Sequence, residues 1–116
     1  MADVFTDAGE GHVVDQIDAF GTYYVAWGTG TDAAAKGDTT LQTEAAETRV
    51  ATTDSQPSAS VFQSVGTITA TGSKTITEMG LLTASTSGVL VIRSVFTGIA
   101  VTAGDAIQFT IQLTLA

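Results

Sequence analysis

The clearest pattern in the chain is a strict alternation of apolar and polar residues near its end, over residues 107–115. The apolar positions alternate with glutamine or threonine and are Ile107, Phe109, Ile111, Leu113 and Leu115. Because successive side chains of a strand point to opposite faces, this segment is predicted to be a strand with one buried face. That face needs a second layer to cover it, which predicts a two-layer β-protein.

Earlier segments also have the composition of strands. β-Branched and aromatic residues are concentrated between turn-forming glycines and serines in residues 22–27, 61–70, 74–82 and 89–96. The predicted fold class is all-β and mainly antiparallel, either a β-sandwich or a jelly-roll-like barrel. An apparent shift of the apolar phase predicts a bulge at Gly66, and residues 71–73 are predicted to form a hairpin turn.

Residues 89–96 are apolar on both faces except for Arg93 and Ser94. Such a strand suits either the centre of a sheet or an arrangement in which a partner covers one face. An arginine inside it has to be paired, because an unpaired buried charge is costly. Two pairings are open: Arg93 meets Glu78 across neighbouring strands, or it reaches another subunit.

The first twenty residues differ from the rest of the chain. Val13, Ile17 and Phe20 have the spacing of one helix face, which predicts a short helix over residues 12–20. Residues 1–11 are acidic and contain glycines, and they are interpreted as an arm with Val4 and Phe5 as its apolar anchor. The predicted organisation is therefore an N-terminal arm, 1–11, and a single β-sandwich domain, 12–116. The chain begins without the basic and apolar regions of a signal peptide, so none is predicted.

The middle of the chain, residues 28–58, is harder to interpret. Asp32 is predicted to cap one helical turn that ends at Lys36, the second half of 39–53 is expected to be a long strand, and 54–58 a loop. Gly28 to Ala33 fits G-x-G-x-x-G/A, but the long helix of a dinucleotide site does not follow, so a glycine-rich loop is favoured. Asp32 and Asp38 are either Ca²⁺ ligands or turn acids, and turn acids are favoured.

Composition narrows the function. The 116 residues contain no cysteine and only four Lys or Arg, with a net charge of −8. These numbers argue against disulfides, thiolate metal sites, nucleic-acid binding and docking on anionic lipid. Only 14% of residues are charged, against about 25% in typical domains. Much of the surface is therefore uncharged, either as a Thr-rich β-surface or as a surface covered by other subunits.

Candidate catalytic groups are sparse. His12 is the only histidine and has no second ligand or nucleophile near it. Glu44, Glu47 and Glu78 are the carboxylates considered for glycoside hydrolysis. Nothing in the sequence raises one of their pKa values, so solvated carboxylates or partners of Arg49 and Arg93 are favoured. The sequence predicts no enzyme, no metal site and no cofactor.

Three stretches, taken in order, carry a resemblance to a known family. They include Trp-Gly-Thr-Gly-Thr, Ile-Thr-Glu-x-Gly-Leu and Gly-Asp-x-Ile-Gln-Phe-Thr, and they lie in Ala26–Leu41, Ile76–Leu82 and Val101–Ile111. From about Tyr24 onward the chain resembles small structural proteins of tailed-bacteriophage virions. The resemblance implies a β-sandwich virion component without catalytic residues, assembled in the bacterial cytoplasm.

The family resemblance leads to two functional expectations. The first is a capsid decoration or cement protein that binds itself, as a trimer or another homo-oligomer, and the major capsid protein on the outer head. The alternative is a tail or fibre accessory protein that binds tail proteins and contacts a host glycan. The residues expected to make these contacts belong to the arm, the loop 28–38 and the apolar strand: Val4, Phe5, Thr29, Asp32, Lys36 and Arg93.

Overall fold

A computed structural model describes residues 2–115. The described chain contains one helix, α1 (Asp7–Ala19), and seven strands. The strands are β1 (Tyr24–Gly28), β2 (Val50–Ala51), β3 (Thr53–Ser58), β4 (Val61–Thr69), β5 (Lys74–Leu82), β6 (Leu90–Val101) and β7 (Ala106–Thr114).

The strands form two antiparallel sheets that pack together. The first sheet has four strands in the order β2-β1-β5-β6, and the second has three in the order β3-β4-β7. This arrangement confirms the predicted antiparallel β-sandwich with a short N-terminal helix. Both sheets are open, so the barrel alternative does not describe the fold. β2 and β3 are the edge strands of their sheets on one side, and β6 and β7 are the edge strands on the other.

The core lies between the sheets. Its largest fully buried side chains include Trp27 of β1, Phe62 of β4 and Leu81 of β5. Phe109 meets Trp27 edge to face, with ring centroids 6.5 Å apart. Phe109 and Ile111 are buried, while the alternating residues Gln108, Thr110, Gln112 and Thr114 are exposed. The alternation that predicted β7 therefore reports its buried face correctly.

Helix α1 begins at Asp7, five residues before the predicted start at His12. Thr6 is the N-cap, and its hydroxyl accepts the N–H of Gly9 at 3.0 Å. A threonine cap followed by acidic residues in the first turn favours this early start. The helix packs against β3 and β4. Of the segment interpreted as an arm, residues 2–6 precede the helix, and Met1 lies outside the described residues.

Two predictions about the strand 61–70 are wrong. β4 pairs with β7 in continuous register from Val61 to Thr69, so there is no bulge at Gly66. A Cβ at Gly66 would lie 2.8 Å from Cγ1 of Val25, so the glycine is needed for close approach of the two sheets. Residues 71–73 do not close a hairpin, because they carry the chain from β4 in one sheet to β5 in the other.

Three predictions about residues 32–58 are also wrong. The helical turn after Asp32 does not form, and only a turn at residues 36–37 is present. The long strand expected before residue 53 is the two-residue β2, after which the chain changes sheets. Residues 54–58 form most of β3 rather than a loop. Pro57 is accommodated there because β3 is an edge strand, where one side of the backbone needs no partner.

Candidate functional site

A segment of the chain crosses the outer face of the first sheet, the face turned away from the sandwich core. This covering segment, residues 29–43, brings Leu41 into a small cluster with Ala26, Leu82 and Leu90. Neighbouring residues of β1, such as Val25 and Trp27, belong instead to the main core. The sheet is therefore buried on both faces where the covering segment lies.

The covering segment is attached to the sheet through Glu78 of β5, whose side chain is fully buried. Oε2 of Glu78 accepts the backbone N–H groups of Gly30 and Thr43, both at 2.8 Å. Oε1 accepts the N–H of Gln42 at 2.9 Å and Nε of Arg93 at 3.0 Å. One carboxylate thus satisfies three backbone donors at the two ends of the segment and one guanidinium.

Arg93 completes this attachment from β6. Its Nη1 donates to Oδ2 of Asp38 at 3.0 Å, and its Nη2 donates to the carbonyl of Asp32 at 3.1 Å. Only 4% of the Arg93 side chain is exposed. The pairing of Arg93 with Glu78 within one chain is therefore confirmed, and the guanidinium is already engaged by intrachain acceptors.

The hydrogen bonds keep this cluster ionised. Burial opposes ionisation of Glu78, but the donors from Thr43, Gln42, Gly30 and Arg93 outweigh it and lower the pKa of the carboxyl. Burial also opposes the charge on Arg93, yet the carboxylates of Glu78 and Asp38 raise the pKa of the guanidinium. The pKa of Asp38 is lowered, first by the N–H of Ala35 and then by Arg93.

The glycine-rich sequence is explained by the same carboxylate. A Cβ at Gly30 would lie 2.5 Å from Oε2 of Glu78, and a Cβ at Gly28 would lie 2.6 Å from the same atom. The glycines therefore let the backbone approach Glu78. Asp38 stabilises the turn at residues 36–37 by accepting the N–H of Ala35, as the favoured interpretation expects. Asp32 does not act as a turn acid, because it exchanges two 2.9 Å hydrogen bonds with Gln42, ten residues further along the chain.

Two further ion pairs fasten the segment that follows. Glu47 accepts Nε1 of Trp27 at 3.0 Å, the N–H of Thr71 and the ammonium of Lys74. Burial opposes its charge, but Lys74, Thr71 and Trp27 hold the pKa of Glu47 well below its ordinary value. Glu44 binds Arg49 through two hydrogen bonds of 2.9 and 3.0 Å. The three glutamates considered for catalysis thus belong to three separate ion pairs.

The predicted contact residues fall into two separate places. Val4 and Phe5 are 79% and 60% exposed in the segment before α1, which packs on the second sheet. Thr29, Asp32 and Lys36 are exposed on the covering segment of the first sheet. The structure brings Asp32 and Arg93 together but leaves both far from a shared site with Val4 and Phe5, because the two groups belong to different sheets.

Sequence reasoning assigned no role to the exposed apolar residues Val89, Val91 and Ile99. It placed Val13 and Phe20 on the apolar face of the helix, but both are exposed, and the buried helix residues are Glu10 and Val14. The signal for Val89 and Val91 was present, because residues 89–96 are apolar on both faces except for Arg93 and Ser94. Within residues 2–115, no helix is long and apolar enough to cross a membrane, and no group of three or more metal-ligating side chains is assembled.

Comparison with protein-family models and with curated protein sequences finds no match for this chain.

Proposed function

We propose that this chain is a structural protein of a tailed-bacteriophage virion, and specifically a capsid decoration or cement protein of the outer head surface. Its role is binding rather than catalysis. The virion assignment is supported by a resemblance in sequence. The motifs that carry it occur in the same order along the chain, in Ala26–Leu41, Ile76–Leu82 and Val101–Ile111. A β-sandwich whose surface carries few charges also suits broad contact with neighbouring subunits.

The observation that carries the proposal is the exposure of Val4 and Phe5 on an acidic segment. Residues 2–20 contain no lysine or arginine and have the acidic residues Asp3, Asp7, Glu10, Asp15 and Asp18. Exposed large apolar side chains within a charged surface mark an interaction site. This combination fits a partner that offers an apolar pocket with basic residues around it, and we assign that partner as the major capsid protein.

The covering segment supplies the second proposed contact, through Thr29, Asp32 and Lys36. Glu78 and Arg93 hold this segment in one position before any partner arrives. A segment that is already ordered loses little conformational freedom on binding, so more of its contact energy appears as affinity. Weak contacts of this kind add up when many copies engage a repeating lattice.

The shape of the molecule supports one alternative, a tail or fibre accessory protein. The chain measures 55 × 26 × 24 Å along its principal axes, and its radius of gyration is 15.4 Å. A compact domain of this length has a radius of gyration of about 13 Å. An elongated module is suited to stacking along an axis, as a fibre requires.

Copy number in purified virions of the phage that encodes the chain separates these roles. Quantitative mass spectrometry is expected to find hundreds of copies, as a head lattice requires. About three to twelve copies would move the assignment to the tail, whose parts have low rotational symmetry. Absence of the chain from virions would overturn the virion role altogether.

The contact itself is tested with heads that lack the chain. Phe5→Ser is expected to lower occupancy on these heads about tenfold or more, since it removes an apolar anchor. The matched control is Val89→Ser, because Val89 is 65% exposed but lies beside β6, away from the acidic segment. If Phe5→Ser and Val89→Ser bind the heads equally well, the N-terminal segment is not part of the interface.

A further inference from the structure

Strand β6 is strongly apolar yet poorly buried. Eight of its twelve residues are Ala, Val, Ile, Leu or Phe, but only Val101 is buried. In the neighbouring β5, by contrast, every residue from Glu78 to Leu82 is buried. The difference follows from position, since β6 is the outer strand of a four-stranded sheet that faces a sheet of only three. The sequence pattern suited either a central strand or a strand that a partner covers. Because β6 is an edge strand, the second interpretation is the one that remains.

Natural edge strands usually carry features that prevent pairing with another chain, such as charges, proline or very short length. β2 has two residues, and β3 contains Asp54 and Pro57. β6 has twelve residues, no proline and one charged residue, Arg93, whose charge is taken up by Glu78 and Asp38. Its pairing with β5 has two irregularities, shifts in register between Ile76 and Glu78 and between Leu81 and Leu82, and the strand stays paired on either side of each.

Charge indicates which partner suits this edge. Residues 79–104 contain no Asp or Glu, although the whole chain has twelve and a net charge of −8. A basic partner would therefore find few carboxylates along β6, since Asp38 of the covering segment is already paired with Arg93. A second copy of this acidic chain needs such a surface, because two copies repel each other wherever their carboxylates meet.

We propose that β6 pairs with β6 of a second copy, antiparallel and about a two-fold axis. The pairing joins two four-stranded sheets into one continuous sheet and satisfies the outward backbone groups of both strands. It also covers the exposed apolar side chains of β6, including Val91 and Ile99. A two-fold contact between identical strands is self-complementary, so it closes after two chains.

A charge placed on the β6 edge tests this pairing. Thr97→Lys is the variant of choice, because Thr97 is exposed and lies between the β5-paired residues Val95 and Ile99. Sedimentation equilibrium is expected to show two chains for the wild type and a dissociation constant raised about tenfold or more in the variant. Thr110→Lys is the matched control on β7, the edge strand of the other sheet, and it is expected to leave the dimer unchanged.

Amide hydrogen exchange locates the contact. In the wild-type dimer, consecutive amides of β6 are expected to be protected, whereas in Thr97→Lys every second one exchanges rapidly, as at a free edge. The amides of β7 are expected to exchange alike in both proteins. A monomeric or trimeric wild type, or equal weakening by Thr97→Lys and Thr110→Lys, would overturn the proposed pairing.

This inference gives one specific form to the self-association that the family resemblance implies, but it does not require a virion. If the chain dimerises through β6 but is absent from virions, the pairing is supported and the virion role is overturned. If the chain is abundant on heads but monomeric in solution, with a rapidly exchanging β6 edge, the virion role is supported and the pairing is overturned. The two tests therefore fail independently.

Discussion

β5 and β6 are adjacent strands of one sheet, and the less apolar strand is the better buried. β5 has four apolar side chains in nine residues, whereas β6 has eight in twelve. The covering segment lies over β5, where it places Leu41 on Leu82 and engages Glu78. Only the first part of β6 reaches this cover, through Leu90 and Arg93. The rest of β6 keeps exposed residues such as Thr97 and Ile99. A small number of buried polar groups thus decides which apolar surface the chain covers by itself.

The contrast has a physical cause. Apolar contacts are not directional, so they hold a segment against a sheet without selecting one position. A buried carboxylate with four donors accepts only the position in which all four are within reach, because any lost partner leaves a buried charge unsatisfied. Glu78 supplies this selection over β5, and most of β6 has no comparable group.

The largest effect is expected from Glu78→Gln. An amide offers one acceptor oxygen in place of two and leaves the buried Arg93 with only the partly exposed Asp38 as a counter-charge. We expect the free energy of unfolding to fall by about 3–5 kcal/mol, measured by urea denaturation. The matched control is Glu44→Gln, since Glu44 also binds an arginine but its side chain is 32% exposed. It is expected to cost about 1 kcal/mol or less. Similar losses in both variants would mean that Glu78 does not fasten the covering segment.

A smaller effect is expected from shortening valines on the two sides of the comparison. Val25 of β1 is fully buried, whereas Val91 of β6 is 39% exposed. Val25→Ala is expected to lower the free energy of unfolding by about 2 kcal/mol or more, because it leaves a cavity in the core. Val91→Ala is expected to change it by about 0.5 kcal/mol or less in dilute, monomeric protein. A large loss at Val91 in the monomer would show that β6 is already well packed without a partner.

The smallest effect is expected from acid. The folded-state pKa of Glu78 is lowered, so its contribution is complete above the unfolded-state pKa of about 4.3 and is lost as pH falls through the folded-state value. From about pH 5 to about pH 2 we expect the wild type to lose about 1–2 kcal/mol more than Glu78→Gln. Glu47 remains in both proteins and keeps some acid sensitivity in the variant. Parallel pH profiles of unfolding would contradict a depressed pKa at Glu78.

Part of the fold and site was predictable because the evidence was local. The alternation from Ile107 to Leu115 reports a strand and its buried face wherever that strand pairs. An arginine within an apolar strand has to find an acid, and Glu78 was named as one of two possibilities. The start of the helix was predicted five residues too late, because the N-cap at Thr6 was not recognised.

The covering segment was beyond local reasoning. In the sequence, Gly28 and Gly30 look like part of an ordinary glycine-rich loop. The reason for both glycines is their contact with Glu78, which lies about fifty residues later in the chain. Gly66 suggested a bulge because its real neighbour, Val25, belongs to the other sheet. Pro57 suggested a loop because an edge position is a property of the sheet and is invisible in the strand itself.

The sequence by itself determined the β-rich, two-layer character of this protein, its acidic and cysteine-free chemistry, and the excess of apolar residues in 89–96. Only the tertiary structure decided that those residues form an edge, that Glu78 and Arg93 hold the covering segment, and that the sheets remain open. The physical reason is that alternation and composition act between near neighbours in sequence. Strand order and buried ion pairs depend on contacts between residues that are distant in the chain and meet only when it folds.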